Sequence, residues 1–109
     1  MTEAVLQPFP SRFQRLVFEG PLTIYDAGTL KVQLQAMLEK TEGDGLELDL
    51  AQVTEIDTAG LQLLLLAQRE SQRLQRPLRI VASVSVREII GFYHLDDFFS
   101  EALMPGAQA

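Results

Sequence analysis

Hydrophobic residues recur along the chain at two spacings, short runs at period two and longer stretches at three- and four-residue steps, and these mark strands and helices in turn. Phe13 to Glu19 reads as the first extended segment, with Phe13, Leu16 and Phe18 to bury. Pro8, Pro10 and Pro21 punctuate its flanks, and Met1 to Ser11 reads as a loose, flexible tail. Gly20-Pro21 signals a turn, after which Leu22-Thr23-Ile24-Tyr25 reads as a short strand closing an opening hairpin. Asp26 is the candidate N-cap of a first helix over Ala27 to Lys40, whose apolar stripe is Ala27, Leu30, Leu34, Met37 and Leu38. Gly43 and Gly45 are expected to end it.

Leu46-Glu47-Leu48-Asp49-Leu50 alternates strictly and predicts a strand with leucines on one face and carboxylates on the other. A short acidic loop should follow, and then Asp57 caps a second helix from Thr58 to about Gln75, stopped by Pro77. On a helical wheel Leu61, Leu63, Leu64, Ala67 and Leu74 share a face with Gly60 and Ser71. Leu66 falls outside that face, among Gln62, Arg69, Glu70 and Arg73 on the side of Thr58, with Leu65 on the border. Leu78, Ile80 and Val81 form a further strand. Ser85-Val86-Arg87-Glu88 has capping-box spacing and predicts a third helix over Val86 to Tyr93. Leu95 to Phe99 should fold its phenylalanines onto the sheet, and residues 104–109 should fray. The resulting class is α/β, a mixed sheet of about four strands packed against three or more helices, in one domain over residues 12–103.

Composition narrows the chemistry. The 109 residues contain no cysteine, which removes disulfides, thiol nucleophiles and thiolate metal sites together. A formal charge of −6, without a basic run, argues against nucleic acid as a partner. The longest apolar run, Leu63 to Ala67, is far shorter than the roughly 20 residues a bilayer span needs, so direct membrane insertion is not expected and a cytoplasmic domain is. His94 is the single histidine and reads as a residue near a helix C-terminus, so a metal site is not expected. Gly43-Asp44-Gly45 precedes a strand and is no phosphate-binding loop, and a nucleotide site is not indicated. The carboxylate pairs Glu47 and Asp49, Glu55 and Asp57, and Asp96 and Asp97 read as solvated edges and caps. No catalytic residues and no cofactor are expected.

What remains is the stretch Asp49-Leu50-Ala51-Gln52-Val53-Thr54-Glu55-Ile56-Asp57-Thr58-Ala59-Gly60-Leu61. Read locally, Thr58 is either an ordinary first-turn threonine or a seat for a phosphoryl group at a helix N-terminus. The stretch resembles the signature of the STAS family, shared by sulfate transporters and anti-sigma factor antagonists. Gly20 to Leu30 and Ser85 to Phe98 resemble that family's flanking segments. The resemblance implies a STAS-like fold with Thr58 as phosphoacceptor, in an environment of Glu55, Asp57, Ala59 and Gly60. Thr23 stands where bacterial antagonists often carry an acid before the first helix, a departure that bears on the phosphorylation cycle.

The resemblance further implies a non-enzymatic regulatory protein-binding module, and the wheel of the second helix, on which Leu66 is either a lone exposed leucine or an apolar anchor ringed by arginines, points to docking through Gln62, Leu65, Leu66, Arg69 and Arg73. Its partner would be a serine/threonine kinase anti-sigma factor or, since Leu22 to Tyr25 and Asp57 to Leu65 look like small STAS proteins of chemotaxis clusters, a chemosensory component. The alternative is a constitutive accessory subunit of a transporter complex of the lipid-transport ABC type, without phosphorylation. A phosphoacceptor receiver domain, the rival from another class, lacks parts. It needs an acidic pair after its first strand and a late lysine, whereas Phe13 to Glu19 ends in Glu19 alone and the last lysine is Lys40.

Overall fold

The leucines of Leu46, Leu48 and Leu50 point into one core and Glu47 and Asp49 lie on the other side of the sheet, so the central strand is amphipathic as its alternation requires. In a computed structural model of the protein, which describes residues 3–7, 13–40 and 45–104, this strand pairs with a parallel neighbour on each side. The elements in chain order are β1 (Glu3–Gln7), β2 (Phe13–Leu22), α1 (Ile24–Lys40), β3 (Gly45–Ile56), α2 (Thr58–Arg73), β4 (Leu78–Ala82) and α3 (Val84–Phe92). One four-stranded sheet has the order β1-β2-β3-β4. β1 is antiparallel to β2, whereas β2, β3 and β4 are mutually parallel. The two crossovers through α1 and α2 advance in the same direction, so their shared handedness puts both helices on one face of the sheet.

Among the described residues, twenty hydrophobic ones from β2, β3, β4, all three helices and the segment after α3 form a buried cluster. β3 stays in register with it through two irregularities. Its buried positions run Leu46, Leu48, Leu50 and then Val53, with Ile56 packed against the cluster. Across from them β2 places Leu16, Phe18 and Leu22 in the core at even spacing. Leu16 pairs with Leu48, Gly20 with Val53 and Leu22 with Ile56, so β3 takes one extra residue between Val17 and Glu19 and another between Gly20 and Pro21. Each extra residue shifts the strand's parity and returns an apolar side chain to the core. The Asp49 carboxylate accepts from the Ala51 N–H at 3.0 Å beside the first irregularity. Gly20 sits at φ 84°, a conformation costly for other residues, at the second.

The opposite face of the sheet carries a ladder of charges. Arg15, Glu47 and Arg79 are neighbours in register on β2, β3 and β4. Arg15 pairs with Asp49 and with Glu47 at 3.3 Å, and the Arg79 guanidinium stacks 3.7 Å from the centre of the Phe13 ring. Beyond α3 the chain returns to the sheet. Ile80 donates to Ala102 O at 2.7 Å and accepts from Met104 N at 2.9 Å, so the segment lies parallel against the outer side of β4.

Several local expectations are corrected. The expected tail contains β1, and the hairpin is formed by β1 and β2 rather than by a strand at Leu22 to Tyr25. Gly20-Pro21 is a kink within β2, not its end. α1 begins at Ile24, which puts Asp26 inside the helix rather than at its cap. Gly45 opens β3, where a Cβ would lie 2.4 Å from Pro77 O; Gly43 falls outside the described residues. The expected acidic loop after Leu50 is strand as far as Ile56. α3 starts at Val84 because Ser83, not Ser85, accepts from Val86 N, while Ser85 donates to Thr54 O. Phe99 is buried but Phe98 is exposed, and Met104, expected to fray, is hydrogen-bonded to β4. Residues 105–109 lie outside the described ones.

α2 and α3 end alike. Arg76 N–H bonds Ser71 O and Gln75 N–H bonds Gln72 O, and Leu95 and His94 repeat the pattern onto Ile90 and Gly91. Each is the paired C-terminal motif that needs a left-handed residue, here Gln75 at φ 56° and His94 at φ 57°.

The α2 wheel is observed as expected: Gly60, Leu61, Leu63, Leu64, Ala67 and Ser71 are buried and Leu74 packs on the core, whereas Leu66 is half-buried outside it. Leu64→Ala is expected to cost about 2–5 kcal/mol in denaturant unfolding through the cavity it leaves, and Leu66→Ala far less. Gln75→Gly is expected to raise stability by about 1 kcal/mol, since glycine takes the left-handed conformation without a Cβ penalty.

Candidate functional site

Parallel strands deliver their carboxyl ends, and the N-termini of the helices that follow, to one end of the sheet. There β2 runs into α1 through Thr23, and β3 into α2 through Asp57. Asp57 serves both junctions. One carboxylate oxygen accepts from Gly60 N–H at 3.0 Å and caps α2, as the sequence predicts. The other accepts from Ile24 N–H at 3.0 Å, so the cap of α1 comes from 33 residues away rather than from Asp26. The Asp57 N–H also donates to Leu22 O at 3.3 Å. A Cβ on Gly60 would lie 2.4 Å from that same Leu22 carbonyl oxygen and 2.8 Å from an Ile56 side-chain carbon, so only glycine lets α2 approach the β2–α1 junction this closely.

Burial pushes the Asp57 carboxyl up, but the backbone N–H groups of Gly60, Ile24, Ala59 and Asp57 itself outweigh it and hold the group below the usual carboxylate range. Thr58, the first residue of α2, is exposed, as is Glu55. Ala59 is half-buried and Gly60 buried.

Between α1 and α2 runs an open groove of about 530 Å³. Ala59, Gln62, Leu65, Leu66 and Arg69 line it from α2, which brings most of the predicted partner-binding residues together with one member of the phosphosite environment. Arg73 is elsewhere. Its guanidinium donates twice to Glu70, at 2.8 and 2.9 Å, and this contact holds the Glu70 carboxyl low and the Arg73 guanidinium high. Leu65 also packs on the core, so its role is partly structural. Glu55 faces a second depression, of about 370 Å³, with Ile56, Ser85, Glu88, Ile89 and Phe92.

Sequence reasoning missed the α1 wall of the groove: Ile24, Ala27, Gly28 and Lys31. It also missed that Ile24 and Tyr25, read as residues of a short strand, open α1 and are 66% and 92% exposed beside the Asp57 junction. An apolar pair in a helix's first turn, just past a strand, carries no local mark of exposure. Among the described residues no cluster of three or more metal-ligating side chains occurs, and no helix is long and apolar enough to cross a membrane.

A protein-family model described as Mlab, STAS domain, matches residues 8–104. The chain belongs to the STAS domain family. No curated protein matches the sequence. Solved structures share the STAS fold at low identity. An anti-sigma factor antagonist from Mycobacterium paratuberculosis superposes with a TM-score of 0.81 at 18% identity, over 98% of this chain and 88% of that one. RsbS from Moorella thermoacetica, in a serine-to-glutamate form, gives 0.75 at 17%, over 96% and 88%. The Bacillus cell fate determinant SpoIIAA in its phosphorylated form gives 0.68 at 14%, over 97% and 93%.

In this STAS domain, Asp57→Ala is expected to cost about 0.5–2 kcal/mol for each helix terminus left uncapped. The sign of its pH dependence follows from the lowered folded-state pKa. The carboxylate's contribution is fully present above the ordinary value near about 3.9 and is lost as pH falls through the lower folded value. The stability gap between wild type and Asp57→Ala should therefore be constant from neutral pH down to about 5 and narrow below about 4, as read by urea unfolding at each pH.

Proposed function

We propose that this STAS domain is a non-enzymatic regulatory module that docks to a protein partner through the Thr58 end of the sheet and is switched by phosphorylation of Thr58. The observation that carries this reading is the placement of one exposed hydroxyl on the first residue of α2. It stands next to a carboxylate already committed to two helix termini, with Ile24 and Tyr25 exposed alongside. Such a terminus tolerates added negative charge locally, while the apolar surface around it suits contact with another protein. The likeness to anti-sigma factor antagonists supports a partner of that signalling class, a serine/threonine kinase anti-sigma factor or a chemosensory component acting in the cytoplasm. A second reading, a constitutive STAS subunit of a transporter complex without phosphorylation, draws on the Mlab description of the matching family model.

The test uses a partner co-purified with the tagged protein from its native cell, then prepared separately. Calorimetric titration is expected to show Thr58→Ala binding like wild type and Thr58→Glu binding at least about tenfold more weakly, since an unpaired carboxylate buried in an interface costs about 2–5 kcal/mol. Circular dichroism should show both variants folded, because the helix dipole favours the added charge by about 0.3–1 kcal/mol. Phosphothreonine in mass spectra of the native protein is the accompanying expectation. Glutamate and enzymatically phosphorylated protein that both bind as tightly as wild type would transfer the assignment to the constitutive subunit.

A further inference from the structure

The groove between α1 and α2 has features that the chain's own folding does not account for. Gly28 lies within α1, exposed, on the groove wall, and a Cβ built on it would meet nothing within 4 Å. Glycine inside a helix costs stability relative to alanine; at Gly60 in α2 crowding explains it, whereas Gly91 in α3, like Gly28, is uncrowded, with only Asp96 Oδ2 at 4.0 Å, but lies outside the groove. At Gly28 there is no crowding among the described residues. A bare stretch of helix backbone beside Ala27 and Ala59 instead leaves room for another backbone to come close.

The charges of the groove point the same way. The protein is acidic overall, at −6, yet the charged side chains that line the groove among the described residues are Lys31 and Arg69, one from each wall. Lys31 lies seven residues into α1 and Arg69 eleven into α2, which at about 1.5 Å per residue is roughly 10 and 17 Å from the Thr58 mouth. The apolar lining of the groove comes from Ile24 on α1 and from Leu63, Leu65 and Leu66 on α2.

From this arrangement the geometry points to a defined occupant: an amphipathic helix of the partner protein, its apolar stripe laid along the groove over Gly28 and its flanking carboxylates meeting Lys31 and Arg69. A helix fits better than a single acyl chain because the groove is open between two parallel helices and its cations stand on opposite walls, matching carboxylates on both flanks of a stripe. This deepens the docking reading and rests on it. It also supplies the chemistry of the switch, since a dianionic phosphate on Thr58 would repel an acidic helix reaching the mouth.

The probe is a synthetic amphipathic peptide of about five helical turns, with leucines at helical spacing flanked by glutamates, compared with a twin carrying lysines instead. Each is titrated into the full-length, isotopically labelled protein and followed by amide chemical shifts. The acidic peptide is expected to give saturable shifts at Gly28, Lys31, Ala59, Leu66 and Arg69. The lysine twin should bind at least about tenfold more weakly, and the double variant Lys31→Glu, Arg69→Glu should reverse that preference. Gly28→Ala should raise the melting temperature by about 2–6 °C while weakening the peptide, opposite changes that a purely structural glycine would not produce. Equal binding of the two peptides, absence of saturable shifts, or shifts centred on the charged face of the sheet would overturn the assignment. So would laurate giving the same shifts while excluding the peptide, which would mark a lipid site. If the groove assignment fails while Thr58→Glu still releases the native partner, docking at Thr58 stands and only its geometry is wrong. If the acidic peptide binds as expected and Thr58→Glu leaves both peptide and native partner bound, the groove stands and the switch falls.

Discussion

The Asp57 carboxylate is the point on which this arrangement turns. A helix N-terminus presents several N–H groups without partners inside the helix, and two such termini emerge side by side at the carboxyl ends of adjacent parallel strands. One side chain with two acceptor oxygens serves both, donating nothing and accepting from Gly60 and Ile24. The entry points of α1 and α2 are thereby fixed relative to each other as well as to the sheet. Gly60 completes the junction by letting α2 pass against the Leu22 carbonyl. The mouth of the groove is defined by these few atoms, and Thr58 sits on it.

The sheet has two faces of different character. The helical side is a leucine-rich interior that reaches from Leu16 to Ala102, while the other side is tied by Arg15, Glu47, Asp49 and Arg79. Arg15, Glu47 and Arg79 are partly open to solvent whereas Asp49 is buried against Arg15, and together they hold three strands in register. Burial supplies the main driving force, and the parity shifts of β3 keep it continuous to the strand's end.

Sequence patterning made some of this legible and hid the rest for physical reasons. The Leu46 to Leu50 alternation and the buried face of α2 were readable because periodicity and burial coincide there. Asp57 was readable as the cap of α2 because Gly60 is three residues away. Its second oxygen was not, because Ile24 is distant in sequence and nothing local distinguishes a helix capped from afar from a strand. The spacing of Leu50, Val53 and Ile56 is three, which on its face contradicts a strand, and only the pairing with Leu16 to Leu22 reveals the two extra residues. Gln75 and His94 occupy left-handed positions where glycine would have announced the helix end. The groove's α2 wall was visible as a face of Leu66 and Arg69, whereas its α1 wall depends on a packing between helices that no single segment records.

The return of the chain along β4 bears on how such domains can associate. An exposed strand edge is a template for another strand, and here the hydrogen bonds of Ile80 that face outward are consumed by Ala102 and Met104 of the same molecule. At the middle of β4 the edge is therefore occupied by the chain itself. At that point contact with another protein is left to side chains, so recognition there depends on surface shape and charge and not on backbone complementarity, which any extended peptide could offer.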